Sequence, residues 1–123
     1  MKFLCDTCIL IDYLRGKEET KNFLNEERKF GLGMSAVTFM ELIVGARNKK
    51  EVSLIKKTFT DFEIIEINES ISIKAQKLIE QFSKSHGLLI PDALIAATAL
   101  EFQLPLSTLN VSDFKFIPNL QIF

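Results

Sequence analysis

The sequence predicts an α/β fold, with a mainly parallel central sheet sandwiched between layers of helices. Two observations predict it. Short apolar runs alternate with longer stretches of helical periodicity along the whole chain. The short runs are apolar on both faces, as strands are when helices cover both sides of a parallel sheet. Length and composition agree: 123 residues, 47% of them hydrophobic, can fill one core, so a single domain over residues 1–123 is expected.

Lys2 to Cys5 reads as the first strand. Thr7 is the expected N-cap of a helix through Leu14, which Gly16 ends. A charged helix covers Glu18 to Glu27, and Phe30 to Met34 is the second strand, with two glycines. Ser35 caps a markedly apolar helix, Ala36 to Ala46. Residues 49–60 form an amphipathic helix, with Val52, Ile55 and Phe59 at helical spacing. Phe62 to Ile67 is the third strand. Glu69 to Ser85 is a long helix with Ile71, Ala75, Leu78 and Phe82 on one face. Leu88 to Ile90 reads as a very short strand. Pro91 then opens a helix to about Phe102, because its missing N–H costs nothing in a first turn. Leu104 to Ser107 and Leu120 to Phe123 are the last strand candidates.

Composition limits function. The longest apolar run falls short of the roughly 20 residues that span a bilayer. Too few apolar residues separate Lys2 from Asp6 for a signal peptide, so a cytoplasmic protein with no membrane role is expected. A formal net charge of −1 gives no global basic field. The charge is nevertheless uneven, with ten of the fifteen Lys and Arg between Arg15 and Lys57. That run reads either as a solvated helical surface or as a local phosphate-steering one.

Sites in open parallel sheets form beyond the C-terminal ends of the strands. Acidic residues recur at these places. Asp6 follows the first strand, where an acidic residue also complements a helix start. Glu41 is the only charge in AVTFMELIVGA, residues 36–46. A helix apolar all round is buried, so Glu41 needs a cation, a metal or a water-filled cleft; an ion pair with Lys or Arg is the plainer alternative. Asp92 opens DALIAATALEF, which carries no second charge before Glu101. Asn110 and Asp113 lie in STLNVSDF, where turn residues are also ordinary. Together these residues suggest a shared site. Like charges gather at a cost that a hard divalent cation removes, and carboxylates suit Mg²⁺ or Mn²⁺. Such sites bind phosphate oxygens and activate water, which makes a phosphodiester the natural substrate.

The same residues resemble a known family. DTCILIDYL at 6–14, MELIVGA at 40–46, PDALIAATAL at 91–100 and TLNVSDF at 108–114 are similar to the motifs of the PIN-domain ribonucleases. More narrowly, they resemble the VapC toxins of toxin–antitoxin pairs. The resemblance covers nearly the whole chain. It implies a PIN-like three-layer α/β/α sandwich and Mg²⁺- or Mn²⁺-dependent endonucleolytic cleavage of single-stranded or looped RNA. Asp6, Glu41 and Asp92 match the metal-binding carboxylates. Thr7 and Thr108 match hydroxyls that position a carboxylate, water or phosphate. Asn110 stands where part of the family has a fourth acid, a departure that Asp113 offsets as a further catalytic candidate. Arg15 and Arg47 are candidates for orienting the RNA backbone. The family also implies a homodimer and a VapB-type antitoxin whose flexible tail enters the acidic cleft.

Other readings compete. Cys5 and Cys8 form a Cys-x-x-Cys, which suggests a thiol oxidoreductase. Against it, alternation turns Cys5 away from Asp6, and Cys8 belongs to an apolar helix. A structural zinc lacks ligands, because His86 is the only histidine. His86 precedes Gly87 at a helix end and reads as a favourable C-terminal residue. An acidic Mg²⁺ pocket of the response-regulator or phosphatase kind fits Asp6 but explains Glu41 poorly. A catalytically weak RNA-binding relative is the further alternative that Asn110 raises. The phenylalanines, including Phe23, Phe59 and Phe62, read mainly as core.

Overall fold

Strand alternation at residues 3–5 divides the interior in two. A computed structural model describes all of residues 1–123. Phe3 and Cys5 point to one side of the sheet and Leu4 to the other, and all three are fully buried. The sheet has four strands: β1 (Leu4–Cys5), β2 (Gly33–Ser35), β3 (Glu63–Ile65) and β4 (Leu106–Ser107). Every pairing is parallel, in the order β3-β2-β1-β4. Leu4 pairs with Gly33 on one side and Leu106 on the other.

Six helices cover the sheet: α1 (Thr7–Leu14), α2 (Glu18–Glu27), α3 (Ala36–Gly45), α4 (Lys49–Thr58), α5 (Glu69–His86) and α6 (Ile90–Glu101). On the Leu4 side, Ile71, Ala75 and Leu78 of α5 meet Ala93, Ile95, Ala96, Ala97 and Ala99 of α6. The alanines let the two helix backbones approach closely over a long interface. On the Phe3 side, Ile9 and Leu10 of α1, Leu24 of α2 and Ile55 of α4 pack with Phe59 and Phe62. Helix α3 joins the two layers, with Val37 in one core and Leu42 in the other. This is the expected α/β/α sandwich. Each fully buried aliphatic side chain contributes about 1.5–3 kcal/mol, so these two layers dominate the favourable energy.

The boundaries differ from the sequence expectations in a few places. Asp6, not Thr7, is the N-cap of α1, and its carboxylate accepts from the Thr7 N–H at 2.8 Å. Leu88 to Ile90 forms no strand: Leu89 is the N-cap residue of α6, and the helix starts at Ile90. Leu120 to Phe123 contributes only a single bridge, Ile122 to Leu106. The second strand starts at Gly33, because residues 28–30 wind into a 3₁₀ turn. Ser35 caps α3 as expected, its hydroxyl accepting from the Val37 N–H. Gly87 ends α5 in the left-handed region, at φ 68°, where a side chain is strained. No helix is long and apolar enough to cross a membrane.

Candidate metal centre

Parallel pairing brings the C-terminal ends of the strands to one edge of the sheet, and the candidate residues gather there. The chain leaves β1 at Asp6, β2 at Ser35 ahead of α3, and β4 at Thr108. Asp92 sits in the first turn of α6, which packs against α3 and β2.

Asp6 is nearly inaccessible and held on both oxygens. Its Oδ1 accepts from the Thr7 N–H, and its Oδ2 accepts from the Thr108 hydroxyl at 2.7 Å. The Thr108 hydroxyl in turn accepts from the Asn110 N–H at 3.0 Å. A hydroxyl has one proton, so this arrangement fixes its direction toward Asp6. Because Asp6 takes over the capping, the Thr7 side chain is free. Its hydroxyl donates to Glu41 Oε1 at 2.6 Å and lies 3.0 Å from the Thr38 hydroxyl. Two successive residues thus tie β1 to β4 and to α3.

The expectation that this helix is buried all round is wrong, and of the settings expected for Glu41 the open cleft is the one present. Glu41 is exposed, as are its α3 neighbours Met40 and Val44. Helix α3 buries Val37, Thr38 and Leu42 and turns the other side to solvent. Val37 and Glu41 lie one helical turn apart, yet Val37 is buried and Glu41 is exposed. Glu41 makes no ion pair, which removes the plainer alternative.

Asp92 carries the electrostatic signature. Its carboxyl is pushed up to about 6, first by burial and then by the charges of Asp6, Asp113 and Glu41. Three carboxylates from other parts of the chain therefore act on Asp92. No three acidic, cysteine or histidine side chains are gathered tightly enough to ligate one ion without moving. Repulsion of the kind that burdens Asp92 spreads like charges, and a hard cation reverses its sign. The donor set is carboxylates with flanking threonine hydroxyls, which fits Mg²⁺- or Mn²⁺-like ions.

The supporting candidates divide. Asp113 and Asn110 are exposed in the 3₁₀ turn after β4, and the Asp113 N–H donates to the Asn110 carbonyl. Arg15, Arg47 and Glu41 line one groove of about 590 Å³, floored by Ile11, Leu42 and Ile55. This groove shares only Glu41 with the acidic cluster. Arg47 is engaged: its Nε and Nη2 both donate to Glu51 Oε2, at 2.9 and 2.7 Å. Arg15 makes no ion pair. Arg28 is structural, donating to Tyr13, the Thr58 carbonyl and Asp61. The basic run is thus partly neutralised rather than a continuous steering surface.

The cysteines are not a redox pair. Both are free, and burial raises both thiols above their ordinary range. A low-pKa thiolate is what redox chemistry needs. Cys5 is core packing, as expected. Cys8 is more than that: its thiol donates to Asp6 Oδ2 at 3.3 Å, lies 3.6 Å from the Thr108 hydroxyl, and accepts from the Leu109 N–H. Sequence reasoning missed this contact and missed Thr38. Thr38 had a signal, since it lies three residues before Glu41 in an otherwise apolar run and so shares its helix side.

Comparison with known proteins gives the family. The family model described as "PIN domain" matches residues 3–115. "Ribonuclease VapC10" of Mycobacterium tuberculosis is 33% identical over 120 residues, covering 96% of this chain and 90% of its own. "Ribonuclease VapC1" of Methanocaldococcus jannaschii is 34% identical over 116 residues, covering 93% and 79%. Among solved structures, a toxin–antitoxin complex from Klebsiella pneumoniae superposes with a TM-score of 0.80 at 33% identity, covering 97% of this chain and 95% of that one. The chain belongs to the PIN domain family, in its VapC branch.

Proposed function

We propose that this chain is a divalent-metal-dependent endoribonuclease, the toxin of a toxin–antitoxin pair, and that Asp6, Glu41 and Asp92 hold the metal. The observation that carries the assignment is the convergence of charge on Asp92: Asp6, Asp113 and Glu41 all push its carboxyl toward the neutral form. The relatives' names supply the substrate class, RNA. The oxygen-rich donor set favours Mg²⁺ or Mn²⁺ over softer ions. Bound there, such an ion lowers the pKa of water and neutralises phosphate charge, the chemistry of hydrolysis to a 3′-hydroxyl and a 5′-phosphate.

The chain's own residues orient this site. Thr108 and the Thr7 N–H fix the two oxygens of Asp6, and the Thr7 hydroxyl fixes Glu41. Asp113 adds negative charge where Asn110 offers only a neutral oxygen. Arg15, unpaired in the groove that Glu41 lines, is better placed than Arg47 to meet an RNA phosphate. The partner is a VapB-type antitoxin, supported by the toxin–antitoxin complex among the structural relatives. A homodimer and a cytoplasmic setting complete the proposal.

The test is cleavage of single-stranded RNA by the purified chain with Mg²⁺ or Mn²⁺. Wild type cleaves, chelator stops it, and Asp6→Asn and Asp92→Asn fold but do not cleave. Binding without cleavage by wild type would instead favour the RNA-binding relative. Full activity in either folded variant removes that residue from the site.

A further inference from the structure

The end of α5 and the turn after Asp113 build an aromatic stack that the metal site does not use. The His86 ring lies on Phe116 with centroids 4.3 Å apart and planes 15° from parallel. Phe82 meets both rings at steeper angles, at 5.6 Å from His86 and 5.1 Å from Phe116. Phe82 and Phe116 are half-buried and rest against the α5–α6 core, whereas His86 is exposed. The imidazole is also steadied at its edge, with Nδ1 2.8 Å from the Ser85 hydroxyl. One ring face is therefore backed by Phe116, while the residue as a whole stays open to solvent.

Packing alone gives a poor account of this arrangement. A histidine that only closed a helix end would need no parallel ring beneath it. The chain also ties both halves of the stack to the acidic cluster. His86 comes six residues before Asp92, and Phe116 three after Asp113. Leu89 and Ile90, between His86 and Asp92, are 65% and 67% exposed, and Val111, two residues before Asp113, is 45% exposed. Lys115, next to Phe116 in sequence, is exposed and makes no ion pair. Aromatic faces on segments that carry free cations are how proteins hold single-stranded nucleic acid. The ring accepts a base and the lysine meets a phosphate.

We propose that the outer face of His86, backed by Phe116, stacks a base of single-stranded RNA flanking the cleaved bond, with Lys115 on the RNA backbone. The proposal rests on the ribonuclease reading for its substrate class, but not on cleavage.

The test is the affinity of a short single-stranded RNA carrying aminopurine, measured by fluorescence in an Asp92→Asn background with Mg²⁺ present. That background removes turnover and one repelling charge. His86→Ala should weaken binding roughly 5- to 100-fold, the worth of one stacked base, and abolish part of the aminopurine quenching. His86→Tyr should retain both, because it keeps a planar face. Lys115→Ala should lower the salt dependence of binding by about one counterion. In the cleaving enzyme, His86→Ala should raise KM with little change in kcat. Unchanged RNA affinity in His86→Ala overturns the proposal, as does a His86→Tyr variant no better than alanine. So does a His86→Ala defect confined to self-association or antitoxin binding, or the absence of RNA binding in the parent. RNA binding through His86 with no cleavage by wild type would instead sink the ribonuclease reading and leave the platform standing.

Discussion

Replacing Asp92 by Asn should make the metal-free protein more stable while destroying its activity. The magnitude comes from the raised carboxyl. Asp92 ionises near 6 against an ordinary 3.8, a difference of about two pH units. At about 1.36 kcal/mol each, the charged form is disfavoured by at most roughly 3 kcal/mol at neutral pH. The group is only half-buried and solvent screens its charge, so about 1–1.5 kcal/mol is the realistic cost. One term opposes it: an acidic residue in the first turn of α6 gains about 0.3–1 kcal/mol from the helix dipole, which Asn forfeits. Burial and repulsion together win by about 0.5–1 kcal/mol, worth about 2–5 °C in Tm for a chain of this size.

The sign with pH is fixed by which state binds more protons. Between about 4 and about 6 the folded protein holds a proton on Asp92 that the unfolded chain has released. Wild-type stability therefore falls as pH rises through that window, and the Asn variant lacks this fall. Thermal melts in chelator at neutral and acid pH measure both. At neutral pH the variant should melt higher, and near pH 4 the two should converge. A variant that melts several degrees lower at neutral pH would show the sign to be wrong. It would mean that the Asp92 charge is favourably paired rather than crowded by Asp6, Asp113 and Glu41.

Further expectations concern the supporting residues and the metal. Asp6→Asn should keep the cap on α1, since its amide oxygen still accepts from the Thr7 N–H, but its NH₂ faces the Thr108 hydroxyl and Cys8 thiol that donate to Oδ2, so it should fold with a lowered Tm while losing cleavage; Asp6→Ala should also cost about 0.5–2 kcal/mol through the lost cap, read in denaturant titration. Thr108→Val removes the proton that fixes Asp6 Oδ2 and should lower metal affinity or cleavage by about 10- to 100-fold, read by calorimetric titration and by initial rates. Thr7→Val should reduce cleavage through Glu41 and lower the Tm as well, because the fully buried Thr38 hydroxyl then loses its hydrogen-bond partner. A Cys5→Ser, Cys8→Ser double variant should retain metal-dependent cleavage; complete loss in a folded variant would revive a thiol mechanism. Added Mn²⁺ should raise the Tm of wild type but not of Asp92→Asn, since only a state that binds the ion is stabilised by it.

Much of the fold was legible because local patterns and tertiary packing agree. The helix limits of α1 and α2 are set by Gly16 and by the run of charge after Lys17, where backbone preference decides. Leu88 to Ile90 misled because three apolar residues carry no period. Leu88 is buried and the two after it are exposed, which only the α6 start explains. The carboxylates were legible as a set because each stands beyond a strand or interrupts an apolar helix. Glu41 was found by the right feature, but its helix is not buried: a helix apolar all round can still leave one side exposed, here at Met40, Glu41 and Val44. The exchange of roles between Asp6 and Thr7 was not legible, since either residue can cap a helix. Only the position of Glu41 across the gap shows which hydroxyl is needed elsewhere. Contacts such as Cys8 with Thr108 join residues a hundred positions apart and have no local signal.

Everything proposed for the reaction depends on Asp6, Glu41 and Asp92 forming one metal site that cleaves RNA. Calorimetric titration of Mn²⁺ into wild type, Asp6→Asn, Glu41→Gln and Asp92→Asn tests this, with cleavage of one single-stranded RNA followed in the same samples. Wild type should bind the ion and cleave, and each variant should lose both together while keeping its fold. Undiminished Mn²⁺ binding and cleavage in any two of the three folded variants would mean that the carboxylates do not form such a site.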